Sequence, residues 1–111
     1  MIKLCDLTDL QPGTITRVLP EQATQPLSLV TVDEKVFCFE DTCSHETASL
    51  ADGWLEGYEV ECPLHESRFD IRTGRPDCPP ARKPIRTHRV HVIDDIVYLE
   101  ESSIALLQEP A

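Results

Sequence analysis

Nine prolines interrupt this chain of 111 residues, and nothing before Ser102 repeats with the period of an amphipathic helix. A proline inside a helix removes a backbone hydrogen bond and clashes with the preceding turn, so a chain punctuated in this way has to build its core from short strands. Two hairpins are readable directly. Leu27 to Val32, the polar pair Asp33-Glu34, and Val36 to Phe39 form the first; Thr87 to Ile93, Asp94-Asp95, and Ile96 to Leu99 form the second. In the leading strand of the second hairpin, alternation places Val90 and Val92 on one face and Arg89 and His91 on the other. Gln11-Pro12-Gly13 marks a turn after an opening strand at Lys3 to Cys5, and only Ile104 to Gln108 offers a short terminal helix. The expected fold is all-β, an antiparallel β-sandwich of short strands in one domain spanning residues 1–111.

Composition narrows the function. Apolar residues at 41% and charged residues at 27% are those of a folded protein, with no repeat or low-complexity tract. Twenty acidic against ten basic side chains give a net charge of -10, which excludes nucleic acid and anionic membranes as natural partners and favours a protein with a basic patch. The start, MIKLCDLTDL, has neither the basic region nor the apolar run of a signal peptide, and no apolar run is long enough to span a bilayer. A cytoplasmic protein is expected. There, five cysteines point to reduced thiols, some of them metal-binding, rather than to disulfides.

Two thiols stand out. Within EDTCSHETASLADGWLEGYEVECPLHESRFD, Glu40 to Asp70, one cysteine precedes one histidine at each end: Cys43-Ser44-His45 and Cys62-Pro63-Leu64-His65. The pattern is C-x-H-x16-C-x2-H, in two loops anchored by strands. A nucleophile with its base would need one such pair, and its duplication is unexplained by that chemistry. Structural zinc usually draws like ligands in pairs, C-x2-4-C with H-x3-5-H, and fits mixed loops poorly. Two irons side by side fit better, because each loop can give its cysteine to one iron and its histidine to the other.

On these residues the chain resembles the Rieske family. The resemblance extends to Gly53 and Gly57, Pro63, Phe69-Asp70, Thr73-Gly74 and the prolines from Pro79-Pro80 to Pro84, and so covers most of the sequence. It implies a Rieske fold with a small cluster-binding subdomain at about residues 41–82, inserted in a basal β domain. It implies one [2Fe-2S] cluster per chain, with Cys43 and Cys62 on the inner iron, His45 and His65 on the outer one, and a cover formed by the loop around Pro80. Two neutral imidazoles in place of two thiolates leave the oxidised centre formally neutral, so adding an electron is easier than at an all-cysteine centre. Rieske centres accordingly lie at about -150 to +300 mV rather than near -400 mV.

The segments LQPGTITRV and EDTCSH, with ASL following, are similar to ferredoxins of carbazole dioxygenases, with the biphenyl and toluene types also close. The implied function is a one-electron carrier, not an enzyme, with no catalytic residue of its own. It would take electrons from a flavin-containing NAD(P)H ferredoxin reductase and pass them singly to the terminal Rieske oxygenase of an aromatic-ring dioxygenase, acting as a monomer. The alternatives are a carrier serving another oxygenase or reductase, and a zinc-binding or structural Rieske-like small subunit.

Where relatives of high potential carry a disulfide between the loops, this chain has Ala48 and Leu64. Ser67 is placed to give one hydrogen bond to a cluster sulfur, while Phe69 stands where those relatives have a tyrosine hydroxyl, so a potential in the lower part of the range is expected. Glu46 and Glu66 follow the histidines where the family commonly has glycine, an arrangement that would favour the oxidised cluster and form an acidic rim. Cys5 and Cys38 read as apolar fillers and Cys78 as packing near the cover. His88 and His91 read as surface or structural residues facing opposite ways, and Trp54 and Leu55 as shields of the segment between the loops.

Overall fold

The structure, a computed structural model, describes residues 1–43, 48–63, 67–77 and 83–103. Its strands are β1 (Ile2–Asp6), β2 (Thr16–Val18), β3 (Leu27–Val32), β4 (Lys35–Glu40), β5 (Trp54–Glu56), β6 (Glu59–Glu61), β7 (Arg68–Asp70), β8 (Thr87–His88), β9 (Val90–Ile93) and β10 (Ile96–Leu99). They form three antiparallel sheets, ordered β1-β10-β9, β2-β3-β4-β8 and β5-β6-β7. Helical structure among the described residues is limited to single 3-10 turns at Leu7–Asp9, Leu50–Asp52 and Glu101–Ser103. The all-β expectation holds.

Both readable hairpins form, and each closes on two non-glycine residues in the left-handed region. Asp33 and Glu34 have φ of 50° and 66°, and Asp94 and Asp95 have φ of 51° and 61°. This is the backbone of a type I′ turn, whose twist matches that of the flanking strands. The Gln11 turn also forms, with the Thr14 amide donating to the Gln11 carbonyl at 3.0 Å and Gly13 at φ 79°.

The β3-β4 hairpin is the centre of the molecule, because both of its faces are covered. Leu27, Leu29 and Cys38 point into one core with Leu10, Val97 and Leu99. Val30 and Phe39 point into the other, with Leu50, Val60, Phe69, Ile71, Ile85 and the two cysteines Cys43 and Cys62. That is why the run LSLV is nearly continuous in apolar residues instead of alternating. Phe39 and Phe69 are fully enclosed in the second core, each a burial worth about 1.5–3 kcal/mol. Tyr58 fastens the third sheet to this hairpin: its ring meets Phe37 edge-on at 5.8 Å, lies under Arg72 at 4.2 Å, and its hydroxyl donates to Asp33 Oδ2 at 2.7 Å.

The leading strand of the second hairpin is divided. His88 pairs with Cys38 in the middle sheet, whereas Val90 to Ile93 pair with β10 in the first, the break falling at Arg89. Splitting one run between two sheets is how the chain turns the corner between them. Val90 consequently packs on the core while Val92 is 45% exposed. The proposed helix at 104–108 lies outside the described residues.

Candidate metal centre

Cys43 and Cys62 sit at the tips of two hairpins built to one plan. Thr42 bridges Ser49, and inside that bridge the Cys43 amide donates to the Ala48 carbonyl at 3.0 Å. Glu61 pairs with Arg68, and inside that pair the Cys62 amide donates to the Ser67 carbonyl at 2.7 Å. In each loop a cysteine therefore occupies the first position, fixed through its own backbone to the residue five places on. Both side chains are buried, Cys43 at 3% and Cys62 at 0% exposure, within one core cluster. His45, His65, Glu46, Glu66, Leu64, Cys78 and the Pro80 loop lie outside the described residues.

The first loop is anchored by a residue that the sequence did not single out. Asp41, two positions before Cys43, is 1% exposed. Its Oδ1 accepts from the Ser28 hydroxyl at 2.7 Å, the Ser49 hydroxyl at 2.9 Å and the Ala51 amide at 3.0 Å, while Arg17 Nε lies 3.3 Å from Oδ2. Its backbone amide and carbonyl are also bonded, to Pro26 and Leu50. A buried carboxylate is tolerated only when its oxygens are supplied in this way. The signal available in the sequence was Ser28, a polar residue inside the apolar run of β3, which donates to this carboxylate.

The two loops are held together at Gly53. A Cβ there would collide with the carbonyl oxygen of Glu61, the residue immediately before Cys62. Only glycine lets the segment leaving the first loop lie against the strand entering the second. Leu55 packs on the core, as expected, but Trp54 does not shield it: β5 turns the indole outward, 58% exposed.

The other described cysteines, Cys5 and Cys38, belong to the other core, away from these loops. Burial pushes the Cys38 thiol far above its ordinary pKa, and Cys5 is raised by burial and then by Asp9 and Asp6. His88 is buried, its Nδ1 has no hydrogen-bond partner among the described residues, and burial followed by the charge of Arg86 lowers its pKa. His91 is half-buried on β9, 3.6 Å from Glu100. Phe69 is sealed in the core, so no hydroxyl stands at that position.

Two buried thiols on matched hairpin tips, each loop also carrying one histidine in sequence, suit iron bound by sulfur and nitrogen. Comparison with known proteins agrees. Residues 1–89 match the Rieske [2Fe-2S] domain. The chain is 40% identical over 98 residues to ferredoxin CarAc of Metapseudomonas resinovorans, covering 88% of this chain and 91% of that protein. It is 36% identical over 91 residues to the ferredoxin component of the naphthalene 1,2-dioxygenase system of Pseudomonas putida, covering 82% and 86%. A solved complex of reduced oxygenase and oxidised ferredoxin in carbazole 1,9a-dioxygenase contains a chain 39% identical, with a TM-score of 0.83, covering 89% of this chain and 100% of that one. With the paired cysteine loops in place, this chain belongs to the Rieske [2Fe-2S] domain family and takes a Rieske-type [2Fe-2S] cluster.

Proposed function

We propose that this protein is the one-electron carrier of an aromatic-ring dioxygenase system and not itself an enzyme. It would accept electrons from a flavin-containing NAD(P)H reductase and deliver them to a terminal Rieske oxygenase in the cytoplasm. The observation that carries the reading is the pair of hairpin tips with Cys43 and Cys62 fixed by the same backbone bond and buried in one core. When bound, the [2Fe-2S] cluster supplies reversible uptake of one electron.

The ligand assignment is Cys43 and Cys62 on the inner iron, with His45 and His65 on the outer iron. The residues divide the remaining work. Val60, Phe69 and Leu50 keep water from the cysteine side, Asp41 and Gly53 hold the two loops in register, and the rigid β3-β4 hairpin beneath leaves little to rearrange when the charge changes. The names of the relatives support the dioxygenase assignment: their systems act on naphthalene and carbazole, and one ferredoxin was solved bound to its oxygenase.

The test is a reconstituted chain of NADH, a flavin ferredoxin reductase and the terminal oxygenase of carbazole 1,9a-dioxygenase. Oxygenated product is expected only when this protein is added, and not with a Cys62→Ser variant. Cluster-loaded wild type that supports no turnover and cannot be reduced by the reductase would overturn the reading.

A further inference from the structure

Cys43 and Cys62 are carried by different sheets. The loop of Cys43 leaves the end of β4 in the middle sheet, whereas that of Cys62 joins β6 to β7 in the third. One centre held by both thiols needs the two sheets kept at a fixed separation. Strand pairing does not supply this, because among the described residues β5, β6 and β7 pair in a ladder only with one another. The Tyr58 contacts fasten the third sheet near the Asp33 turn, and the opposite margin, beyond β7, needs a fastening of its own.

Gly74 provides it. Four residues after β7, its φ is 81°, its amide donates to the Asp70 carbonyl at 2.6 Å, and its carbonyl accepts from the Ile85 amide at 2.8 Å. A Cβ at Gly74 would collide with the Ile85 carbonyl oxygen and meet Thr87 Cγ2 at 3.4 Å. Ile85 is buried in the core that also holds both cysteines, and the next residues enter the middle sheet directly. The Glu40 amide donates to the Arg86 carbonyl at 2.9 Å, the Arg86 amide donates to Glu40 Oε1 at 2.7 Å, and Thr87 pairs with Phe39. Glu40 stands three residues before Cys43. From β7 through Asp70, Gly74, Ile85, Arg86 and Glu40 to the first loop, the two cysteines are thus linked by short hydrogen bonds, all but one of them purely backbone. Gly74 is the one place on this route where a side chain of any size is excluded.

We infer that Gly74 is a positioning residue for the metal centre, its close contact with Ile85 setting the separation of Cys43 and Cys62, given these as the ligands of the inner iron. A methyl group at Gly74 would push the two backbones apart and carry the third sheet, with Cys62, away from the middle one. The sulfurs would then be less well enclosed, and water reaching them would favour the reduced, more negative state. Gly13 and Gly57 separate this effect from simple backbone strain. Their φ values are 79° and 59°, as unfavourable for alanine as that of Gly74, but a Cβ at either meets nothing within 4 Å.

The experiment compares cluster-loaded wild type with Gly74→Ala, Gly57→Ala and Gly13→Ala. Gly74→Ala should release iron to the chelator bathophenanthroline sulfonate at least threefold faster than wild type, with its midpoint potential raised in voltammetry and the g values of its reduced EPR spectrum shifted. Gly57→Ala and Gly13→Ala should lose unfolding stability yet match wild type in all three readings. Should Gly74→Ala fail to fold, hydrogen exchange of wild type followed by mass spectrometry decides: the Ile85 amide should exchange as slowly as those of β4, and exchange a hundredfold faster would show that the contact opens freely and overturn the proposal. Iron release and potential in Gly74→Ala equal to those of Gly57→Ala would overturn the positioning role alone. Iron-loaded wild type whose iron content survives replacement of both Cys43 and Cys62 by serine would overturn the ligand assignment, and the positioning role with it.

Discussion

Removing the Asp41 carboxylate should cost this domain a large part of its stability. In Asp41→Ala the Ser28 hydroxyl, fully enclosed, loses its acceptor, as do the Ala51 amide and the Ser49 hydroxyl, both of which water can reach in part. Hydrogen bonds to a charged group contribute about 1.5–3 kcal/mol each, and an orphaned buried donor costs about 1–3 kcal/mol. The Arg17 side chain is 59% exposed, so its ion pair adds only about 0–1 kcal/mol after solvent screening. Water replaces most of what the part-exposed Ala51 amide and Ser49 hydroxyl lose, so the three bonds do not add in full and a total of about 3–5 kcal/mol is expected, the range for breaking one side of a buried charged contact. Folded domains hold only about 5–15 kcal/mol in reserve. Urea unfolding of cluster-loaded protein under anaerobic conditions, followed by circular dichroism, should therefore show the midpoint falling by about 2 M, whereas Arg17→Ala should move it little. A loss under about 1 kcal/mol in Asp41→Ala, or equal losses in the two variants, would refute the anchoring role.

Gly53→Ala should drive the two loops apart, since the added methyl meets the Glu61 carbonyl, and iron and sulfide analysis should find less than half the wild-type cluster content. Glu34→Gly should raise the unfolding free energy by about 0.5–1 kcal/mol, read from urea melts, because φ of 66° is strained for glutamate and free for glycine. His88 gives a pH dependence: its folded pKa lies below the unfolded value, so the unfolded chain binds the proton first, and stability is full above about pH 6.5 and declines as pH falls below it. His88→Leu should flatten that limb in unfolding experiments run from pH 8 to 5.

Much of this was legible because local chemistry dictates it. Paired acidic residues between apolar runs specify tight turns, and both hairpins formed where Asp33-Glu34 and Asp94-Asp95 said they would. The cysteine loops were legible for a similar reason: ligand type and spacing are written in consecutive residues. What depends on register across the molecule was not. Trp54 and Leu55 are neighbours of similar character, and only the pairing of β5 with β6 decides which of them faces the core. The run from Thr87 to Ile93 alternates like one strand, yet the sheets on either side divide it at Arg89. Asp41 reads as one acid among twenty until three separate segments bring Ser28, Ser49 and Arg17 to it.

The most direct test of a mixed cysteine and histidine centre is pulsed EPR on the dithionite-reduced protein with an iron count on the same sample. The carrier reading predicts two irons per chain and nitrogen couplings from two imidazoles, one of which disappears in His45→Cys and one in His65→Cys. A colourless, EPR-silent protein, or a reduced cluster without nitrogen coupling, would contradict it.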